Sequence, residues 1–67
     1  GLNFYRRLAV EAVPKLKAGA FLLVETGDNQ TGAVAELFAA AGLTELECGK
    51  NYDGKYRYVL GKKPGMV

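Results

Sequence analysis

The sequence predicts an α/β fold whose last strand pair is antiparallel, and three observations lead to this prediction. A helical pattern opens the chain, a short run of purely apolar residues follows it, and a second helical pattern precedes two alternating stretches. This αβαββ order is typical of the closing part of an open α/β sheet. Such sheets hold their ligands at the carboxyl ends of strands, near a switch in strand order. We therefore expect residues 1–67 to be a single fragment of a larger sheet, with the opening strands upstream.

The first helical pattern covers residues 2–17, where apolar side chains recur every three or four positions. Pro14 interrupts it, because proline lacks an amide donor and crowds the carbonyl four residues earlier. We expect a kink or a break at Pro14, and Gly19 then supplies the stop.

Residues 21–24 are apolar at every position, without alternation. A strand of this kind is usually buried on both faces of a sheet, and the glycines on either side disfavour a short buried helix. Glu25 follows at the carboxyl end, where α/β sheets hold ligands. The carboxylate is either a group near a ligand or a solvated strand end, and position alone favours the solvated reading.

The next connector, residues 26–32, is rich in turn residues but matches neither phosphate-binding glycine pattern. Gly27 and Gly32 are five apart, and no Lys-Ser or Lys-Thr follows them. The second helix then presents apolar residues on one face at the spacing i, i+3, i+4, i+7, and Gly42 ends it in a left-handed conformation. The residues of that face are Val34, Leu37, Phe38 and Ala41.

The end of the chain predicts a hairpin. Thr44, Leu46 and Cys48 share one face of the first strand, and Asp53-Gly54 is the turn signal before a second strand over residues 55–60. Cys48 has no histidine or second cysteine near it, so it is interpreted as a buried structural thiol. The tyrosines of this region fit core packing better than base stacking.

Composition narrows the function classes. The chain has 67 residues, 49% of them hydrophobic, and a net charge of +2, which fits a small globular domain. It contains no histidine, so no Ser-His-Asp set exists, and its single cysteine forms no internal disulfide. No apolar run reaches the ~20 residues that span a bilayer. Lys62-Lys63 is interpreted as a solvated tail. We expect no membrane association, no direct nucleic-acid contact, and a reduced, cytoplasmic setting.

Several strings resemble release-factor glutamine methyltransferases, the HemK or PrmC family. The opening Gly-Leu-Asn-Phe-Tyr-Arg-Arg is similar to that family's Gly-Leu-Asp-Phe-Tyr-Arg-Arg, and Phe-Leu-Leu-Val-Glu-Thr-Gly is similar to its Leu-Leu-Leu-Glu-Ile-Gly strand. Thr26 stands where the family has an aliphatic residue. The similar stretches are residues 1–8, 12–20, 21–27, Gln30, 39–43 and 53–61. They cover nearly the whole chain but only about the last quarter of the family's length.

The resemblance implies a parent enzyme that uses S-adenosylmethionine to methylate a glutamine side-chain amide in peptide-chain release factors. Its sheet would be the seven-stranded class I (Rossmann-like) methyltransferase sheet. Residues 1–67 would be the C-terminal part of that domain, with residues 56–60 inserted antiparallel between the other two strands. The glycine-rich cofactor loop and the Asn-Pro-Pro-Tyr motif would lie upstream. The fragment is therefore expected to be inactive and to bind no S-adenosylmethionine.

No catalytic, cofactor-binding or metal-ligating residue is carried over. Glu25, Gly27 and Gln30 match positions near the substrate approach, so they are predicted as neighbours of the substrate pocket. In the family the strand over residues 20–25 pairs with a strand that this chain does not contain. An apolar, unpaired edge is a template for association. The side chains of residues 21–24 would also lose the helices that normally cover one face, which leaves an exposed apolar patch. We therefore expect self-association or pairing with the missing part of the sheet.

Two other readings remain open at this stage. One is a fragment of a different class I methyltransferase, acting on RNA or on a small molecule. The other is a non-enzymatic αβαββ module that works by association.

Overall fold

The computed structural model describes residues 2–27, 29–50 and 57–65. The chain begins with helix α1, whose end is continued by a π-helical turn and then by a 3-10 turn, and the rest comprises strands β1 to β3 and helix α2. Their bounds are Asn3–Arg7 (α1), Leu8–Ala12 (π turn), Val13–Lys15 (3-10 turn), Phe21–Thr26 (β1), Thr31–Ala40 (α2), Thr44–Lys50 (β2) and Arg57–Lys62 (β3).

The predicted break at Pro14 is confirmed. The helix changes from α to π geometry before Pro14, tightens to a 3-10 turn that contains it, and ends at Leu16, where φ is −70° and ψ is 138°. Gly19, with φ at +86°, then turns the chain toward β1. Local chemistry sets this path, because proline cannot donate a backbone hydrogen bond and glycine tolerates positive φ.

Helix α2 also ends as predicted. Gly42 has φ at +105°, its amide donates to Ala39 O at 3.0 Å, and the Leu43 amide donates to Phe38 O at 3.1 Å. These two bonds form a Schellman motif, which satisfies carbonyls that the end of a helix leaves free. Leu43 then folds back into the core, where it is buried.

The three strands form one antiparallel sheet in the order β1-β3-β2. The last strand thus lies between the other two, as the family resemblance implied. Leu23 pairs with Leu60, and Leu60 pairs with Glu47 on the far strand, while Val24, Val59 and Cys48 form the adjacent row. The predicted turn at Asp53-Gly54 and the positions of Tyr52 and Tyr56 lie outside the described residues.

The core lies between one face of the sheet and the helices. Its fully buried centre combines side chains from the 3-10 turn, from α2 and from β3, and Phe38 and Val59 are both 0% exposed. The cluster consists of Ala9, Val13, Val34, Phe38, Leu43 and Val59.

The apolar run alone predicts that β1 is buried on both faces, whereas the expected loss of the helices on one face predicts an exposed apolar patch, and the structure shows this patch. Leu22 and Val24 pack against the core, but Phe21 is 59% exposed and Leu23 is 63% exposed. The reason is that the described helices cover only one face of the sheet. The opposite face, here called the open face, carries Phe21, Leu23 and Glu25 of β1, Tyr58 and Leu60 of β3, and Glu47 of β2.

Strand β2 departs from the strict alternation that its sequence predicts. The register shifts between Thr44 and Glu47, and Glu45 adopts a positive φ of 51°. Such a bulge places two residues of one strand opposite one residue of the other. Cys48 is exposed rather than buried, so the buried-thiol prediction is also wrong. Cys48 pairs with the buried Val59, but among the strands of the described residues β2 is the outer one and has a neighbour on one side only.

Lys62 and Lys63 do not form a solvated tail. Lys62 ends β3, with its ammonium 3.6 Å from Glu45 Oε2 and 5.8 Å from the centre of the Phe21 ring. The Lys63 backbone exchanges hydrogen bonds with Ala20 and Gly19, and its ammonium donates to Val13 O at 3.0 Å. Because Lys62 pairs with Phe21 and Lys63 bonds to the two residues before β1, the basic pair closes the start of β1 against the end of β3.

The outer edge of β1 leads to the first prediction. Within the described residues β1 pairs only with β3, and its apolar side chains are exposed beside the free edge. Unpaired, apolar strand edges recruit further strands. Light scattering should therefore detect dimers or larger species of the 67-residue chain, and Leu23→Lys should shift them toward monomer. Phe4→Lys, at an exposed helix position, is the control. A clean monomer at high concentration would contradict the prediction.

Candidate functional site

The carboxyl end of β1 holds two of the three predicted pocket neighbours in one tight turn. The Gly27 amide donates to Gln30 Oε1 at 3.4 Å, and the Gln30 amide donates back to Gly27 O at 3.0 Å. A Cβ on residue 27 would lie 3.5 Å from Gln30 Oε1, which is ordinary contact. The turn leads directly into α2, so the sheet and the helix fix the position of Gln30.

Glu25 is directed elsewhere. Its side chain is exposed on the open face, together with Leu23 and Tyr58, whereas the next residue, Thr26, is buried on the helix side. Only the backbone of Glu25 is tied to a helix, because its carbonyl accepts a hydrogen bond from the Tyr5 hydroxyl at 2.8 Å. The structure therefore brings Gly27 and Gln30 together but not the Glu25 carboxylate.

A buried pair of hydroxyls supports this turn, and the sequence analysis did not identify it. Thr26 Oγ1 lies 2.9 Å from Thr31 Oγ1, and the Thr31 hydroxyl also lies 3.4 Å from Gly27 O. Thr26 is 2% exposed and Thr31 is 8% exposed. The departure of Thr26 from the family's aliphatic residue was the available signal, since a buried polar side chain requires a partner.

A stability measurement tests the role of this pair. Thr31→Val leaves the buried Thr26 hydroxyl without its partner, so the free energy of unfolding should fall by about 1–3 kcal/mol. Thr44→Val removes an exposed hydroxyl that donates to Lys62 O at 3.3 Å, and its effect should be clearly smaller. Urea unfolding monitored by circular dichroism gives both values. Equal losses in the two variants would show that the buried pair contributes nothing particular.

The polar groups at the end of β1 are thus used in positioning the turn. The Gly27 amide donates to the side-chain oxygen of Gln30, and the Gln30 amide donates to the Gly27 carbonyl. The Thr26 and Thr31 hydroxyls pair beneath them. In residues 2–27, 29–50 and 57–65 no group of three potential metal-ligating side chains comes together. Over the same residues no helix has the length and apolarity to cross a membrane.

Two grooves of the described residues are formed by side chains outside this turn. One groove of about 640 Å³ runs along the first helical segment, between Phe4 and Lys15. A second, of about 520 Å³, lies on the open face between Leu23, Tyr58 and Leu60. Both are wide open to solvent. Neither groove is lined by Gly27 or Gln30, so these two residues border a surface turn within the described part of the chain.

Comparison with curated proteins finds relatives that share one description. The chain is 46% identical over 63 residues to a release factor glutamine methyltransferase of Caulobacter vibrioides, which covers 94% of the chain and 22% of the relative. A protein with the same description from Cereibacter sphaeroides is 41% identical over 96% of the chain and 23% of its own length. One from Clostridium acetobutylicum is 29% identical over 98% of the chain and 23% of its own length.

Two other comparisons give no match: no family model matches the chain, and no solved structure matches it. The assignment of the chain to a family therefore rests on the curated relatives. The chain spans less than a quarter of the length of these relatives, while they match nearly all of it. The family resemblance of the sequence is thus confirmed, and the 67 residues are related to the release factor glutamine methyltransferases over almost their entire length.

Proposed function

We propose that residues 1–67 are the C-terminal part of an S-adenosylmethionine-dependent protein-(glutamine-N5) methyltransferase that acts on peptide-chain release factors. The observation that carries the proposal is the match of 94–98% of the chain to four relatives described as release factor glutamine methyltransferases. In this proposal the chain belongs to one methyltransferase domain with a class I sheet. The sheet order β1-β3-β2, with an antiparallel last strand in the middle, fits the end of such a sheet.

The contribution of these residues is structural in this proposal. The described residues do not fit S-adenosylmethionine, because the polar groups at the end of β1 pair with one another and the two grooves are open. The cofactor and the groups that grip the substrate amide therefore belong to the rest of the enzyme. The isolated chain should be inactive.

Glu25, Gly27 and Gln30 are proposed as neighbours of the substrate pocket rather than as reacting groups. Gly27 and Gln30 form a turn held by a buried hydroxyl pair, which gives the edge of a pocket a fixed shape. Glu25 lies on the open face and would border the pocket from the other side of the sheet. The release factor is the proposed partner. The cytoplasm is the proposed compartment, which fits a chain with a single, unpaired cysteine.

A chimera tests the proposal. The matching stretch of the Caulobacter vibrioides relative is replaced by residues 1–67, a change supported by 46% identity. The purified chimera is then incubated with S-adenosylmethionine and a release factor, and methylation of the glutamine is measured by mass spectrometry. The proposal predicts methyl transfer to a glutamine amide. The control replaces the same stretch and also carries Phe38→Ala, which should abolish the activity through unfolding. A folded chimera without transfer would contradict the proposal.

A further inference from the structure

The side-chain amide of Gln30 has one end that is bonded within the turn and one end that is not. Its oxygen accepts a hydrogen bond from the Gly27 amide at 3.4 Å, and the residue is partly buried. A glutamine side chain also carries an NH2 group with two donor hydrogens. Within residues 2–27, 29–50 and 57–65 no acceptor is bonded to this nitrogen, Nε2. The turn therefore presents a donor for which the described part of the chain supplies no partner.

Two shorter contacts hold the backbone from which this donor projects. The Gln30 amide donates to Gly27 O at 3.0 Å, and Thr26 Oγ1 lies 2.9 Å from Thr31 Oγ1 in the buried layer beneath. The contact between the Gly27 amide and Gln30 Oε1 is long, so these two bonds do most of the positioning. A binding group that is held by its neighbours loses little conformational freedom when its ligand arrives.

The chemistry of the donor indicates the class of ligand. An uncharged NH2 group suits a neutral carbonyl oxygen, whereas phosphate and carboxylate groups are bound most strongly by cations. The turn over residues 26–31 contains no lysine or arginine. A peptide offers one backbone carbonyl per residue, and α/β sheets hold their ligands at the carboxyl ends of strands, where this turn lies. A peptide segment is therefore the ligand that complements Gln30.

We propose that Gln30 is a specificity-determining residue, whose Nε2 donates a hydrogen bond to a backbone carbonyl oxygen of the peptide that is methylated. This inference rests on the proposed function and goes beyond it by assigning a substrate contact to a named atom. Gln30 binds the substrate and takes no part in methyl transfer, so its loss raises the KM for the release factor without lowering kcat. An acceptor elsewhere in the enzyme would instead make Gln30 a structural residue.

Gln30→Glu separates the donor from the rest of the side chain. The carboxylate keeps an oxygen that accepts from the Gly27 amide, but it has no hydrogen to donate. Asn29→Asp is the matched control, because Asn29 is exposed in the same turn and the change adds the same charge while leaving Gln30 Nε2 in place. Both variants are made in the Caulobacter vibrioides chimera. The measurements are kcat, thermal stability, and separate KM values for the release factor and for S-adenosylmethionine.

The expected result for Gln30→Glu is a rise of about tenfold in the KM for the release factor, because a donor is replaced by an acceptor that faces the carbonyl. The other three quantities should stay close to those of the unsubstituted chimera, and Asn29→Asp should change none of the four. In an active chimera, an unchanged KM or an equal rise in both variants overturns this inference and leaves the proposed function standing.

Two further outcomes also decide the matter. A loss of thermal stability in Gln30→Glu, or an equal rise in the KM for S-adenosylmethionine, would assign the donor to a contact within the enzyme and overturn the inference. A folded chimera without methyl transfer would overturn both this inference and the proposed function.

A measurement on the 67-residue chain tests the orientation of the side chain without enzyme activity. In the Gln30→Glu variant the carboxylate is expected to face the Gly27 amide, so the chemical shift of that amide should follow the ionisation of the carboxylate. Because the Gly27 N–H bonds to the charged form, it should lower the pKa of this carboxylate below the ordinary value of a glutamate. A Gly27 amide shift that does not change with the ionisation would show that the side chain points elsewhere, which would overturn the inference.

Discussion

Phe38→Ala is expected to lower the free energy of unfolding by about 3–5 kcal/mol, the usual cost of removing a buried aromatic ring. Phe38 is 0% exposed and belongs to the core cluster that joins α2 to the sheet. A domain of this size has a total stability on the order of 3–10 kcal/mol. The substitution should therefore leave much of the chain unfolded at room temperature, as measured by urea denaturation.

Phe4→Ala is the matched control for this measurement. Phe4 is 64% exposed on the first helical segment, so the loss of its ring should change the stability by no more than about 0.5 kcal/mol. Similar losses in the two variants would mean that the core described here is not the one that holds the fold together.

Gly61→Val is the second substitution with a large expected effect. A Cβ on residue 61 would lie 2.8 Å from Leu43 Cδ1 and 2.9 Å from Leu46 Cδ2, which is closer than carbon atoms approach. Leu43 is buried and has little room to move. Overpacking of this kind costs about 1–3 kcal/mol. Gly65→Val, where an added Cβ would meet no atom within 4 Å, should have little effect.

A double variant identifies the cause of the loss. If the side chain at position 61 collides with Leu46, then Gly61→Val combined with Leu46→Ala should lose less stability than the sum of the two single variants. Strict additivity would show that the destabilisation by valine arises from something other than this contact.

The local turns of the fold could be predicted from the sequence, because single residues determine them. Pro14 breaks the first helix through its missing donor, and the glycines at positions 19 and 42 adopt positive φ. The strand order could be predicted only through the family resemblance. The pairing of β3 with both other strands depends on contacts far apart in sequence, which no local pattern encodes.

The errors arose where a residue's surroundings, rather than its type, determine its exposure. The apolar run of β1 predicts two covered faces, but the described helices lie on one face only, so Phe21 and Leu23 remain exposed. Cys48 has the chemistry of a buried residue and lies on an outer strand. The bulge at Glu45 has no signal in the sequence, since glutamate has no preference for positive φ.

The role of Glu25, Gly27 and Gln30 as neighbours of a substrate pocket stays a prediction. Gly27 and Gln30 do meet, because a turn between a strand and a helix brings residues three apart together. Glu25 does not join them, since alternation along β1 turns its side chain to the open face. The Thr26–Thr31 pair was missed, because it forms only when the start of α2 packs against the end of β1.

Calorimetric titration with S-adenosylmethionine tests whether these residues support a methyltransferase without forming its cofactor site. The titration is carried out on the isolated 67-residue chain and on the Caulobacter vibrioides chimera under the same conditions. We expect no binding to the isolated chain and micromolar binding to the chimera. Micromolar binding to the isolated chain would contradict this expectation, because the cofactor site would then lie within residues 1–67.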